Sequence, residues 1–346
     1  MHNKNEDSFL NKNKNYSKSR NPIRFLLTWR PFPLYELISY FFMFASIPML
    51  AYGIQNYNFD IVKIIFLTII TLYSAFFAAL IWNDITDADI DLIVHPNRPV
   101  PTGRITKKRF FAVALIFSAF TFVFAFLINF WCLVLVGITA LFVTFHNKYL
   151  KKMIKMPAYS EIFTPFQWIV VAIFGFLAVW MTIPGVADKT IYLSIFEPIL
   201  INNSQIITML LLVVFTYFAD NAHDIAEGIH DFEGDKKLGV KTYATSFGEK
   251  TAAKISFFMF IFSGIIAIML FITKSLSIFF IIPFVIVWVY TMYWPYKLIK
   301  ADKNHVKELS TIVGRKWYDY LLMSYNFIFF DIIIQLIIYH LNIRVL

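Results

Sequence analysis

Two groups of acidic residues stand at the ends of long apolar stretches in this chain. The first contains Asn83, Asp84, Asp87 and Asp91, and the second runs from Asp220 to Asp235. Carboxylates are costly beside hydrocarbon and are retained there mainly for a function. Carboxylate oxygens are the ligands that Mg²⁺ prefers, and bound Mg²⁺ commonly holds substrate phosphates. The two groups therefore predict Mg²⁺-dependent chemistry on a phosphorylated, lipid-like substrate.

Helical spacing places each group on one face of a helix. At about 100° per residue, the first face carries Asn83, Asp84, Asp87 and Asp91, while Asp89 points elsewhere. A second face carries Asp220, Asp224, Glu227, Asp231 and Asp235, and Gly234 is a candidate end of that helix.

Carboxylates this close together repel one another unless a cation is bound, which favours two facing metal-binding clusters at one pocket. The simpler alternative is that these acids are solvated loop residues or helix caps. Calcium is a weaker candidate than magnesium because the first cluster lacks the glycine-centred loop of an EF-hand.

The rest of the chain has the composition of a membrane protein. It has 346 residues, of which 59% are hydrophobic and 15% charged, against about 25% charged in soluble proteins. A membrane-spanning helix needs about 20 mostly apolar residues. The sequence predicts an all-α integral membrane protein with nine transmembrane helices, at roughly 35–54, 61–82, 109–128, 130–146, 161–183, 205–222, 251–272, 276–296 and 317–341.

The distribution of basic residues predicts the orientation of these helices. With the amino terminus in the cytoplasm, 27 of the 31 Lys and Arg residues fall on the cytoplasmic side, as the positive-inside rule requires. Both acidic groups then lie on that side. The net charge of +9 follows from topology and requires no nucleic-acid partner. Residues 1–24 are predicted to be a disordered cytosolic tail, and residues 25–346 a single membrane domain.

Two motifs resemble signatures of a known family. Asn83-Asp84-x-x-Asp87-x-x-x-Asp91, followed by His95-Pro96-Asn97-Arg98-Pro99-Val100-Pro101-Thr102-Gly103-Arg104-Ile105, resembles the first signature of the UbiA family of intramembrane prenyltransferases. Asp231-Phe232-Glu233-Gly234-Asp235, with the lysines and glycine after it, is similar to the second. Trp29-Arg30-Pro31 and Tyr149-Leu150-Lys151 are shorter and weaker matches.

The resemblance implies nine transmembrane helices around a central cavity, with Mg²⁺ ions and a prenyl diphosphate held between the signatures. It implies metal-binding and catalytic roles for Asp84, Asp87, Asp91, Asp231 and Asp235. It assigns diphosphate binding to Asn83, Arg98, Lys151 and Lys241. Many members have a further aspartate at the position of Gly228, and Asp224 and Glu227 could take over part of its role.

Three functions are compatible with these observations. The first is transfer of an isoprenoid chain from a prenyl diphosphate to an aromatic or lipid-like acceptor. The second is a membrane terpene cyclase of the same fold, which Gly228 and the absence of the usual Gly-Asn near Tyr159-Ser160-Glu161 leave open. The third is a cation-coupled transporter, although its sites usually lie near the bilayer midplane. The acceptor, the donor length and the oligomeric state are not specified by the sequence.

Overall fold

The computed structural model describes residues 32–88, 91, 98–191, 198–302 and 305–341, with only the backbone of Lys152. The predicted cytosolic tail, Asp89, the Trp29-Arg30-Pro31 motif and residues 95–97 lie outside the described residues.

Over these residues the protein has nine apolar helical spans, as the sequence predicts. The helices are α1 Leu34–Tyr52, α2 Phe59–Thr86, α3 Lys107–Ile128, α4 Phe130–Phe145, α5 Tyr159–Phe163, α6 Phe166–Trp180, α7 Asn203–His230, α8 Phe232–Leu238, α9 Tyr243–Phe247, α10 Glu249–Ile272, α11 Ile278–Lys300 and α12 Val306–His340. A π-helical turn, His146–Leu150, and a short helical turn, Lys151–Met153, continue α4. Helices α5 and α6 form one span that is interrupted at Pro165, while α8 and α9 are short.

The connection before α7 contains two short strands that the sequence analysis does not predict. Strands β1, Lys189–Ile191, and β2, Ile199–Ile201, pair antiparallel with Thr190 opposite Leu200. The side chain of Asn202 then caps α7 by accepting a hydrogen bond from Ser204 N–H at 3.0 Å, which satisfies one of the free donors of the first turn.

The chain divides into two compact units. Among the described residues, the first contains 32–37, 75–88, 91 and 98–118, and it includes the carboxyl-terminal part of α2 and about half of α3. Its core contains Ile81, Phe110 and Ala114. Trp82 Nε1 donates a hydrogen bond to Ser118 Oγ at 3.0 Å, which ties α2 to α3. This packing fixes the end of α2, where the first acidic cluster begins.

Among the described residues, the second unit contains 38–74, 119–191, 198–302 and 305–341, and its helix α7 packs against α6, α10 and α12. The middle of α7 is buried: Phe215 is covered, and the Thr216 and Tyr325 hydroxyls are 2.6 Å apart, which links α7 to α12. The carboxyl-terminal half of α7 carries the second cluster, so the cluster is attached to a helix that packs against three others of this unit.

The second acidic segment is not one continuous helix. Helix α7 ends at His230, and Asp231 has φ −85° and ψ 3°, which separates α7 from α8. Gly234, the predicted end of the helix, lies inside α8 instead. Helix α8 ends at Leu238 and is followed by Gly239, whose φ of 73° is a left-handed conformation that glycine adopts without strain. The prediction of one straight helical face is therefore wrong beyond His230, where Asp231 interrupts the helix.

Candidate functional site

The first cluster keeps its helical arrangement beyond the end of α2. Asp87 N–H donates to Asn83 O at 2.9 Å, and Asp91 N–H donates to Asp87 O at 2.8 Å. These are the bonds between residues i and i−4 that define an α-helix. Asp84 and Asp91 are both buried, whereas Asp87 is partly exposed. Buried carboxylates two turns apart on one face are the arrangement that the sequence predicts.

Arg98 is the basic partner of this cluster. Its Nη1 lies 2.8 Å from Asp91 Oδ1 and 3.7 Å from Asp84 Oδ1. Its guanidinium thus pairs with the two aspartates, and its predicted role in binding diphosphate stays a prediction. Asp91 Oδ2 and Asn83 Oδ1 are buried, and no described group donates a hydrogen bond to either atom. The cluster thus already binds one cationic group and retains free acceptor atoms.

We expect replacement of Arg98 by methionine to lower the free energy of unfolding by about 3–5 kcal/mol, because a buried carboxylate pair then lacks its counter-ion. Saturating Mg²⁺ should recover much of this loss if the same aspartates bind the metal. Thermal unfolding with and without Mg²⁺ measures both effects. Arg109→Met, at an exposed position of the same unit, is the matched control and should have little effect. Equal stability of the two variants without Mg²⁺ would contradict the role given to Arg98.

In the second cluster, two aspartates of α7 lie one turn apart, and each has a buried carboxylate oxygen. Asp220 is 2% exposed, and Asp224 is partly buried. Asp220 Oδ2 and Asp224 Oδ2 are buried and have no hydrogen-bond partner among the described residues. Glu227 is exposed, 3.6 Å from His223 Nε2, so it lies at the edge of the cluster. An unpaired buried carboxylate is unfavourable unless a cation or proton is supplied.

Asp231 and Asp235 continue the cluster around the break between α7 and α8. Asp231 Oδ1 lies 2.9 Å from His230 Nδ1, and Asp235 N–H donates to Asp231 O at 3.0 Å. Burial, together with the nearby Asp231 carboxylate, raises the pKa of Asp235 to about 7, while Lys151 acts in the opposite direction. A divalent cation bound here would relieve the repulsion that raises this pKa.

The two predicted diphosphate-binding lysines lie on either side of this cluster in the sequence. Lys151 follows the π-helical turn and interacts electrostatically with Asp224 and Asp235. Lys241 lies between α8 and α9, and its carbonyl accepts a hydrogen bond from Ser160 N–H at 3.0 Å. Lys151 therefore acts on these carboxylates electrostatically, whereas the backbone of Lys241 connects its segment to α5.

Glu161 is a member of this acidic group that the sequence analysis does not assign. It lies on α5, is 4% exposed, and interacts with Asp224 and Asp235. The sequence did contain a signal for this residue, because Glu161 stands at the start of an apolar span. A carboxylate beside hydrocarbon is energetically costly unless it has a partner or a function.

The donor atoms present suit a hard divalent cation. Asp91, Asp220, Asp224 and Glu161 each have a buried carboxylate oxygen without a hydrogen-bond partner among the described residues. Such oxygens are the ligands that Mg²⁺ takes, together with water and substrate phosphates. Within the described ranges, no three His, Cys, Asp or Glu side chains already form a metal-binding group. The chemistry therefore fits Mg²⁺, with water or phosphate required to complete its coordination.

Comparisons with known proteins agree with the fold and the motifs. The model of the UbiA prenyltransferase family matches residues 39–316. Digeranylgeranylglyceryl phosphate synthases of Sulfurisphaera tokodaii and Pyrococcus horikoshii are 29% and 28% identical over 57% and 50% of this chain. The matches cover 60% and 53% of those proteins, so the chain spans little more than half the length of these relatives.

A solved structure has the same fold. The apo structure of a UbiA homologue from Aeropyrum pernix K1 has a TM-score of 0.64 at 17% identity, and the superposition covers 88% of this chain and 99% of that one. This likeness supports the nine-span helical architecture. Because the family model covers most of the chain, including both acidic clusters, the protein belongs to the UbiA prenyltransferase family.

Proposed function

We propose that the protein is a Mg²⁺-dependent membrane prenyltransferase that moves an isoprenoid chain from a prenyl diphosphate to a lipid-like or aromatic acceptor. The observation that carries the proposal is a pair of buried carboxylate clusters at the ends of apolar helices, each with one basic partner. Arg98 pairs with Asp84 and Asp91, and Lys151 interacts electrostatically with Asp224 and Asp235. Family membership favours this chemistry over cation transport.

The metal ligands in this proposal come from both clusters. They are Asp84, Asp87, Asp91, Asp231 and Asp235, with Asp224 and Glu227 as auxiliary groups. Bound Mg²⁺ would stabilise the negative charge that develops on the leaving diphosphate. Arg98, Lys151 and Lys241 would contact the diphosphate oxygens, and Asn83 would orient a ligand through its side-chain oxygen. Arg98 is held in place by Asp91 before the substrate arrives, so its ordering cost is already met.

Aromatic side chains near the second cluster suit the organic part of the reaction. Cleavage of an allylic diphosphate leaves a cation, and an aromatic face stabilises a cation by about 0.5–2 kcal/mol. Phe142 lies 4.4 Å from Phe166 and 6.0 Å from Phe163 between ring centroids, and Tyr159 lies 4.9 Å from Phe163. These rings belong to α4, α5 and α6, and α5 also carries Glu161. They would exclude water while the cation exists.

The names of the relatives indicate which acceptors to test first. Digeranylgeranylglyceryl phosphate synthases are named for a prenylated glyceryl phosphate, so glyceryl phosphate lipids head the acceptor series, followed by quinone-type aromatics. We also infer a cytoplasmic amino terminus and active site, from the 27 of 31 basic residues assigned to that side. Residues 25–346 would form the catalytic membrane domain.

Product analysis tests the proposal. The purified protein in lipid nanodiscs is incubated with Mg²⁺ and prenyl diphosphates of several lengths, with and without each acceptor. Released diphosphate is measured, and products are identified by mass spectrometry. We expect a prenylated acceptor, formed only with Mg²⁺ and abolished by EDTA. A cyclic hydrocarbon or alcohol formed without acceptor would show that the protein is a terpene cyclase and not a prenyltransferase. If no prenyl diphosphate is cleaved, both functions are contradicted.

A further inference from the structure

The side of α7 at Gly228 is occupied by a carboxylate from another helix. A Cβ atom added to Gly228 would overlap Glu161 Oε1 and lie 3.2 Å from Glu161 Cδ. The next nearest atom is Thr242 Cβ, at 3.8 Å. The absence of a side chain at position 228 therefore creates the space that the Glu161 carboxylate fills.

Several contacts hold Glu161 in this place. Its Oε2 accepts a hydrogen bond from Tyr243 N–H, and its carbonyl accepts one from Asn221 Nδ2 at 3.2 Å. The adjacent Ser160 N–H donates to Lys241 O at 3.0 Å. These bonds connect α5 to α7 and to the segment before α9. The position of the Glu161 carboxylate is therefore fixed by α7, by α9 and by the segment before α9.

The other oxygen of this carboxylate has no such partner. Glu161 Oε1 is buried and accepts no hydrogen bond from any described residue. Asp224 and Asp235 interact repulsively with Glu161, while Lys151 interacts attractively. A buried carboxylate of purely structural importance would normally have both oxygens satisfied. The burial of Glu161, its repulsion by the two aspartates and its unpaired Oε1 together indicate a carboxylate suited to bind a cation.

We propose that Glu161 is an additional divalent-cation ligand of the second cluster, supplied by α5 in place of a side chain at position 228. Position 228 lies one helical turn after Asp224, on the face that carries the acids of α7. Glu161 thus places a carboxylate in that face from outside the helix. The inference deepens the proposed function and rests on it, because the cation would be the one that binds the diphosphate.

Metal binding provides a test that does not depend on turnover. Binding of Mn²⁺ to the full-length purified protein is measured by electron paramagnetic resonance of the free ion. We expect Glu161→Gln, which retains an acceptor for Tyr243 N–H, to weaken Mn²⁺ binding at one site by about 10- to 100-fold. Glu233→Gln, at an exposed position of α8, is the matched control and should bind Mn²⁺ like the wild type. Wild-type Mn²⁺ affinity in folded Glu161→Gln would overturn the proposal.

A relocation experiment separates a ligand from a structural residue. Glu161→Ala should lose the affinity, and adding Gly228→Asp should recover at least part of it, because a carboxylate then returns to the same space from α7. A structural role for Glu161 predicts no such recovery, so an affinity of the double variant equal to that of Glu161→Ala would overturn the proposal. If Glu161→Gln does not fold, Glu161→Asp is measured instead, because it keeps the charge but its shorter side chain moves the carboxylate away from the cluster. Unchanged Mn²⁺ affinity in Glu161→Asp would then overturn the proposal.

Failure of this inference is distinguishable from failure of the proposed function. A wild-type protein that cleaves prenyl diphosphate while Glu161→Gln binds Mn²⁺ normally refutes only the role of Glu161. A wild-type protein that binds Mn²⁺ through Glu161 but cleaves no donor refutes only the prenyl transfer.

Discussion

Asp91→Asn is expected to slow release of diphosphate from a prenyl diphosphate by about 10²–10³-fold, the loss typical when a group that stabilises transition-state charge is removed. Asp91 is 2% exposed; its Oδ1 contacts Arg98 at 2.8 Å and its buried Oδ2 has no described partner. An asparagine cannot supply an anionic ligand there, and it also leaves Arg98 without its nearest carboxylate. The initial rate of diphosphate release at saturating Mg²⁺ measures the effect.

Asp60→Asn is the matched control for this variant. Asp60 is exposed in the first turn of α2, far along the chain from the clusters, so its replacement should leave the rate nearly unchanged. Both variants must be inserted and folded, as judged by circular dichroism and gel filtration in detergent. A folded Asp91→Asn protein with a rate close to that of the wild type would show that Asp91 is not part of the active site.

Asp235→Asn should reduce the same rate by a comparable factor while raising the stability of the metal-free protein. The pKa of Asp235 is raised to about 7 by burial and by Asp231. Above that pH the buried carboxylate is charged and destabilises the folded state. Since the folded state binds this proton more tightly than the unfolded chain, the destabilisation grows as the pH rises from the ordinary pKa of 3.8 through the raised one. Asparagine removes it at all pH values.

Thermal unfolding with and without Mg²⁺, at a pH above the raised pKa, measures this second effect. The metal-free variant should unfold at a higher temperature than the metal-free wild type, and Mg²⁺ should stabilise the variant less. Glu233→Gln, on the exposed side of α8, should show neither change. An undiminished Mg²⁺ stabilisation in Asp235→Asn would exclude this carboxylate from the metal site.

The nine spans could be predicted because a bilayer imposes a local requirement, a run of apolar residues of sufficient length. The ends of the helices depend on more than hydropathy. Helix α7 continues to His230, past the predicted end of the membrane span near 222, and its apolar residues Ile225, Ala226 and Ile229 are still buried there. Helix α12 begins at Val306, before the predicted start near 317, since helical hydrogen bonding continues through its charged first turns.

The candidate site could be predicted only where one helix determines it. The shared face of Asp84 and Asp91 follows from helical periodicity, and the structure reproduces it. The position of Glu161 beside Gly228 depends on contacts between elements that are distant in the sequence, and the spacing of the acids gives no sign of the break at Asp231. The pairing of Arg98 with the aspartates depends on the course of the chain after Asp91. No periodicity within a single helix encodes these contacts.

We propose that the two acidic clusters act on one diphosphate, and a binding cycle tests this proposal most directly. Affinity for a non-cleavable prenyl diphosphate analogue in saturating Mg²⁺ is measured for the wild type, Asp91→Asn, Asp235→Asn and the double variant. Residues that share one ligand give strongly non-additive losses, whereas independent sites give losses that add. We predict that each single variant loses most of the affinity and that the double variant loses little more. Additive losses, or a single variant that binds the analogue like the wild type, would contradict the claim.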